Sequence, residues 1–340
     1  MQQINIQGNF FQQLRSQIPR HMSLVDEVAD LLEISNDSAY RRIRGETALT
    51  FEEIGLLSTK YGISVDGLTN TAANEVVFRY QPLDENNFTF EHYLKQIFSD
   101  LNKIDSLRNK QLYYLANELP FFQLLAVPEL ASFKLFLWSK TVFNFSRYKN
   151  EKFALSQIFD QGLIDIGREI ARLYAKQPSV EVFHAGTIDA TLNQIEYYWV
   201  SGLFYNKSDA LDLCDSLSSF LNHLCFQAEL GVKYAYGSDI PVGVMQIRKD
   251  TYKLYYNEIL NTDNTILVKA ENQKLAYLTN SGHNGLFTNN EYFFDSTYGL
   301  VQQLLQKSTL ISGTSEKERN KVFLRYHNKI DMLRMSIERS

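Results

Sequence analysis

Residues 28–64 read VADLLEISNDSAYRRIRGETALTFEEIGLLSTKYGIS, and this stretch decides how the amino-terminal part of the chain folds. Arg41, Arg42 and Arg44 fall within four residues, in a chain whose formal net charge is −5. At about 100° per residue, Ala39 and Ile43 of SAYRRIR make an inward pair that docks on the preceding helix, and Arg41 falls near the centre of the opposite face. Ser38 and Arg44 flank Arg41, Tyr40 and Arg42 lie at the margins, and Asn36 and Asp37 sit at the helix start. Such a face suits the major groove of DNA, where Arg bonds guanine bidentately, Asn reads adenine, and Ser or Tyr holds phosphates. The candidate DNA-binding residues are therefore Asn36, Asp37, Ser38, Tyr40, Arg41, Arg42 and Arg44.

Working outward, NFFQQLRSQI places Phe10, Leu14 and Ile18 on one side of a short helix that Pro19 ends. Ser23 caps LVDEVADLLE, with Asp26 three residues on, and Val25, Val28, Ala29 and Leu32 form the inward stripe. Gly45 suits a left-handed stop after the arginine helix. Thr50 and Glu53 make a capping box for FEEIGLLSTKY, Gly62 closes that helix, and a last turn, SVDGLT, starts at Ser64. The spacing predicts five short helices in residues 1–72, followed by a polar linker, NTAAN (70–74).

These residues resemble the helix-turn-helix of the lambda-repressor/Cro (XRE-like) family over about 60 positions. Val28 to Glu33 stand as the end of the supporting helix, Ala29 at that family's small-residue position, Ile34 as the buried turn residue and Ser38 to Arg44 as the recognition helix. Glu33 occupies the turn position where the family usually has glycine. The resemblance implies sequence-specific binding of double-stranded DNA, usually by a dimer on a palindromic site. Residues 1–70 hold six Lys+Arg against nine Asp+Glu, a local charge of −3, so useful affinity is expected to need two copies.

The bulk numbers bound the rest. At 340 residues two or three domains are expected, and 44% hydrophobic with 21% charged residues is ordinary for globular chains. A pI near 5.8 excludes a polybasic mode of nucleic-acid binding. The polar start MQQINIQGNFFQQLRSQIPRH does not read as a secretory leader, and charges and prolines interrupt the apolar stretch 118–145. A cytoplasmic protein with no membrane span is the expectation. Cys214 and Cys225 fall on one predicted helix, about 16 Å apart along its axis, far outside disulfide range.

Residues 75–340 are expected to form a regulatory and dimerisation domain, divisible into a helical part, 84–232, and an α+β part, 233–340. VVFRYQPL (76–83) can be a strand. From Thr89 to Gly231 the spacing is helical, most clearly in FEHYLKQIFSDLNKI, FALSQIFDQGLIDIGREIARLYAK and DALDLCDSLSSFLNHLCFQAEL. TYKLYYNEIL, NTILVKA and KLAYLT predict a small antiparallel meander, and two helices follow, the second with Ser315 and Glu318 as a capping box. The fold class expected is mainly α: a five-helix head plus a large, mostly helical domain carrying that meander.

No zincin, nucleophile-elbow, phosphate-loop or dinucleotide motif occurs, so neither an enzyme nor a cofactor or metal is expected. His223 and Cys225 are two apart on a helix and face different ways. The loop TNSGHNGLFTNNE (279–291) reads as a strand-to-helix connector or a ligand loop. Tyr197, Tyr198, Trp199, Tyr252, Tyr255 and Tyr256 can line an effector pocket or fill a core. The leading expectation is a DNA-binding transcription regulator whose second domain senses a small-molecule or protein effector and forms a homodimer. An enzyme with a DNA-targeting head, or an interaction module that has lost DNA binding, are the alternatives.

Overall fold

The computed structural model describes residues 5–19, 22–63, 76–80, 88–156, 160–238, 251–259, 263–280 and 284–339. The chain divides into two compact units, Met1–Phe78 and Arg79–Ser340.

The first unit holds α1 (Ile6–Gln17), α2 (Leu24–Leu32), α3 (Asn36–Ile43) and α4 (Phe51–Tyr61). Each helix start is set by a side chain that accepts from an otherwise unpaired amide. Asn5, Ser23 and Ser35 accept from Gly8, Asp26 and Ser38, and Thr50 with Glu53 forms the reciprocal capping box. Gly62 ends α4 at φ 64°, a left-handed conformation that costs a glycine little. Helices this short are marginal alone, so a shared core must hold them. That core is Phe10, Phe11, Leu14 and Ile18 of the first segment with Val28, Ala29, Ala39, Leu57 and Ile63. The predicted turn from Ser64 and the NTAAN linker lie outside the described residues.

The second unit contains α5 (Phe90–Asp105), β1 (Gln111–Leu115), α6 (Phe121–Leu124), α7 (Pro128–Leu137, continued by a π-helical turn Trp138–Val142), α8 (Gln161–Ala175) and β2 (Ser179–His184). It continues through α9 (Asp189–Val200), α10 (Lys207–Leu230), β3 (Tyr252–Asn257), β4 (Thr265–Lys269), β5 (Lys274–Asn280) and β6 (Asn284–Thr288). It closes with α11 (Glu291–Gln306), β7 (Thr309–Leu310) and α12 (Glu316–Arg339).

The seven strands form one mixed sheet in the order β6-β5-β4-β1-β2-β3-β7. β1, β2 and β3 run parallel, and the remaining pairs are antiparallel. Parallel neighbours need crossovers, and helices α6 to α8 and then α9 and α10 supply them. Alternation along each strand splits the core. Leu112, Tyr114, Phe183, Leu254 and Val268 face the large helical layer, whereas Leu115, Val182, Leu267 and Ala276 face Phe294, Val301 and Leu304 of α11.

This sheet overturns the expectation of a mainly α chain with a small meander. QLYYL and SVEVFH are strands inside the stretch read as helical. All six residues of β2 are buried, Ser179, Glu181 and His184 among them, so its polar positions do not mark a solvent face. The three segments read as one meander are also divided: β4 and β5 pair antiparallel, but β3 lies parallel to β2 on the other side of β1. In VVFRYQPL only the bridge from Arg79 to Phe287 appears among the described residues.

Candidate nucleic-acid interface

Two small residues let α2 and α3 approach closely: Ala29 is 4% exposed and Ala39 fully buried. Between them the chain reverses at Glu33, which adopts φ 53°, ψ 42°, and the amides of both Glu33 and Ile34 donate to the Ala29 carbonyl. A left-handed residue is what this turn requires, and a glutamate supplies it at a backbone cost of about 1 kcal/mol or more. Ile34 then packs against the head core. The helix begins at Asn36, two residues earlier than the sequence reading placed it, because Ser35 accepts from the Ser38 amide at 3.3 Å.

The outward face of α3 carries its cations. Side chains of Arg41 and Arg44 are 58% and 59% exposed. The Arg44 guanidinium lies 4.4 Å from the centroid of the exposed Tyr40 ring and donates to the Tyr40 hydroxyl at 3.4 Å. Glu46 stands beside both arginines, 3.9 Å from Arg41 Nε and 3.8 Å from Arg44 Nη1. At such exposure these contacts are weak and exchangeable. Asn36 and Asp37 are exposed and Ser38 is half-buried; the Asn36 amide donates to Asp26 Oδ1 at 3.0 Å, and Ser38 Oγ pairs with Ser35 Oγ.

Arg42 differs from its neighbours. Its Nε donates to Glu53 Oε1 and Oε2 at 3.0 and 3.2 Å, and its Nη1 to the Ser38 carbonyl at 3.3 Å. With only 17% of the side chain exposed, it ties α3 to α4 instead of facing outward. The Arg42 bonds hold the Glu53 carboxyl below the usual range against the opposing effect of burial. The same carboxylate caps α4 by accepting from the Thr50 amide.

Gln7, which the sequence reading did not single out, completes the frame. Its Nε2 donates to the carbonyls of Arg42 and Thr47 at 2.7 and 2.8 Å, and its Oε1 accepts from the Leu49 amide at 3.1 Å. One amide thus satisfies three backbone groups of the α3–α4 loop. At the other end, Tyr61 and Lys60 bind Glu27 of α2, and the Tyr61 bond most strongly lowers that carboxyl's pKa.

In the second unit the sequence candidates disperse. Tyr198, Tyr252 and Tyr256 are buried in the core while Tyr197 is 56% exposed, so the aromatic runs do not gather into one pocket. Residues Asn284–Thr288 of the supposed loop pair with β5 as a strand, and His283 lies outside the described residues. Cys214 and Cys225 share α10; burial pushes the Cys214 thiol up to about 12, which makes it inert. Among the described residues no group of three or more His, Cys, Asp or Glu side chains could hold a metal, and no helix is long and apolar enough to cross a membrane.

One polar cluster stands at the carboxyl edge of the parallel strands. His184 Nε2 lies 2.9 Å from the Asn117 carbonyl, and its Nδ1 accepts from the Gly186 amide at 3.1 Å. Lys134, 4% exposed, reaches Glu118 and Gln194 at 3.1 and 2.6 Å. Comparison with protein-family models, curated proteins and solved structures finds no match to this chain.

Proposed function

We propose that the chain is a sequence-specific DNA-binding transcription regulator whose first unit reads the major groove with α3. One observation carries the reading. Arg41 and Arg44 stand exposed on the face opposite Ala39, while Arg42, the capped helix starts and Gln7 hold that face in place. Rigid support matters because base readout needs guanidinium groups aimed at guanine O6 and N7 to within hydrogen-bond geometry. Arg41 is assigned to base contact. Arg44, stacked on Tyr40, is assigned to phosphate together with Ser38, and Arg42 is assigned to support. With −3 on residues 1–70, one head binds weakly, and two heads on a two-fold site supply the affinity.

The effector-sensing part of the proposal rests on the carboxyl edge of β1, β2 and β3, where open α/β sheets hold ligands. There Asn117 offers its carbonyl to His184, and Glu118, the next residue, takes the buried Lys134. A ligand at that edge would change DNA affinity by altering how two heads are presented.

The test is selection from a random duplex pool with the full chain. An enriched motif of two related half-sites is expected; a pool without enrichment contradicts the reading.

A further inference from the structure

The carboxyl-terminal helix α12 buries Val322, Phe323, Tyr326, Ile330, Leu333 and Ile337, and its largely polar other side carries three exposed apolar residues. Leu324, Met332 and Met335 are 62%, 72% and 53% exposed. Lys321, Leu324, Asn328, Asp331, Met335 and Glu338 recur at alternating steps of three and four residues, and all six are exposed. That is the a/d spacing of a helix seam, here with two apolar and four polar positions.

We infer that this seam binds α12 of a second copy of the chain, antiparallel, about a two-fold axis passing between Lys329 and Ile330. The charges select that arrangement. In a parallel pair Lys321 would face Lys321, Asp331 would face Asp331 and Glu338 would face Glu338 of the other copy. Antiparallel pairing sets Lys321 against Glu338, Leu324 against Met335 and Asn328 against Asp331, and each layer occurs twice. The two Lys321 and the two Glu338 are thereby kept apart, opposite charges meet at both ends, and Leu324 and Met335 cover each other inside them, while the two Asp331 stay about 4.5 Å apart along the axis, each beside an Asn328. Glu338 keeps its intrahelical contact with Arg334 at 3.1 Å, an exposed pair that a second cation can share. The Met side chains adapt to a mating surface at little steric cost.

A single helix pair buries less than the roughly 1,200 Å² of a standard stable interface, so the association is weak, with a dissociation constant on the order of micromolar or above. The seam depends on the DNA-binding reading only through the expectation that the chain works in pairs, and association is measured without DNA.

The experiment uses the full chain carrying Leu324→Cys and Met335→Cys together. The two positions are about 16 Å apart on one helix and cannot join within a chain. Mild oxidation is expected to give a disulfide-linked dimer from the double variant and little from either single variant. Sedimentation of the wild type should show reversible dimers, weakened about tenfold by Lys321→Glu and regained in Lys321→Glu/Glu338→Lys. Equal cross-linking by Leu324→Cys alone would mean parallel pairing and overturn the proposal. So would a wild-type monomer at about 100 µM, since the face would then serve a different partner, or dimers indifferent to Leu324→Lys, which would use another surface.

Discussion

Arg42 and Glu53 are joined by two hydrogen bonds from one nitrogen, Nε to Oε1 and Oε2 at 3.0 and 3.2 Å, and by Nη2 at 2.8 Å from Oε1. Side-chain exposure is 17% and 15%, so the pair is largely shielded and locks the proposed reading helix to the one after it. Arg42→Met is expected to cost about 1–3 kcal/mol, most of it from leaving Glu53 without its cation. Native-state hydrogen exchange in α3 and α4 of the full chain measures this locally. Because the folded Glu53 carboxyl lies below its unfolded value, the stabilisation is present above the unfolded value near pH 4.3 and fades as pH falls through the folded one. The Arg42→Met chain should lose that acid dependence in the same amides.

Glu33 at φ 53° holds a conformation that glycine adopts freely. Glu33→Gly is therefore expected to stabilise the first unit by up to about 1 kcal/mol, the relief of backbone strain exceeding the entropy that glycine adds to the unfolded chain. Glu33→Val, which is β-branched, should destabilise it. Slower exchange at the Ile34 and Ala39 amides in the glycine variant, and faster in the valine variant, checks both signs.

Glu46 shares its carboxylate between Arg41 and Arg44 at 3.9 and 3.8 Å. Its removal in Glu46→Gln should strengthen binding to an arbitrary DNA duplex by about three- to tenfold at low salt. The gain should vanish near 0.5 M salt, where the screening length falls to about 4 Å. Fluorescence anisotropy across a salt series decides. Affinity unchanged at every salt concentration would mean that these arginines do not meet the polyanion.

His223 on α10 sits among Tyr234, Tyr236 and Phe220, and burial lowers its pKa to about 4 against the opposing bond to the Tyr234 carbonyl. Between pH 6.5 and 4 the unfolded chain binds a proton at this site that the folded chain refuses, so stability rises with pH in that window. It should fall on acidification by an amount on the order of 2 kcal/mol. His223→Gln should flatten the trend in urea midpoints measured at pH 4.5, 5.5 and 7.

The head was legible because short-range rules act there. Ser23 with Asp26, Thr50 with Glu53, and Gly62 are local signals whose partners lie within four residues, and each lies at a helix terminus in the structure. The sheet was not legible. QLYYL and SVEVFH become strands only through pairing with segments more than 60 residues away, and the alternation in each spans too few residues to outweigh the helical spacing on either side. At the candidate interface the helical wheel separated Arg41 and Arg44 from Ala39. It had no means of showing that Arg42 turns back to Glu53, or that Gln7, 35 residues distant, holds the Arg42 carbonyl. Both are tertiary choices among equally polar side chains.

The most direct measurement compares the wild type with Arg41→Ala on the duplex that the wild type selects from a random pool. The alanine chain should keep its helicity, bind about 10–100-fold more weakly, and lose its preference at one base pair of each half-site. If the wild type selects no sequence, or if Arg41→Ala binds the selected duplex with undiminished affinity and preference, α3 does not read DNA.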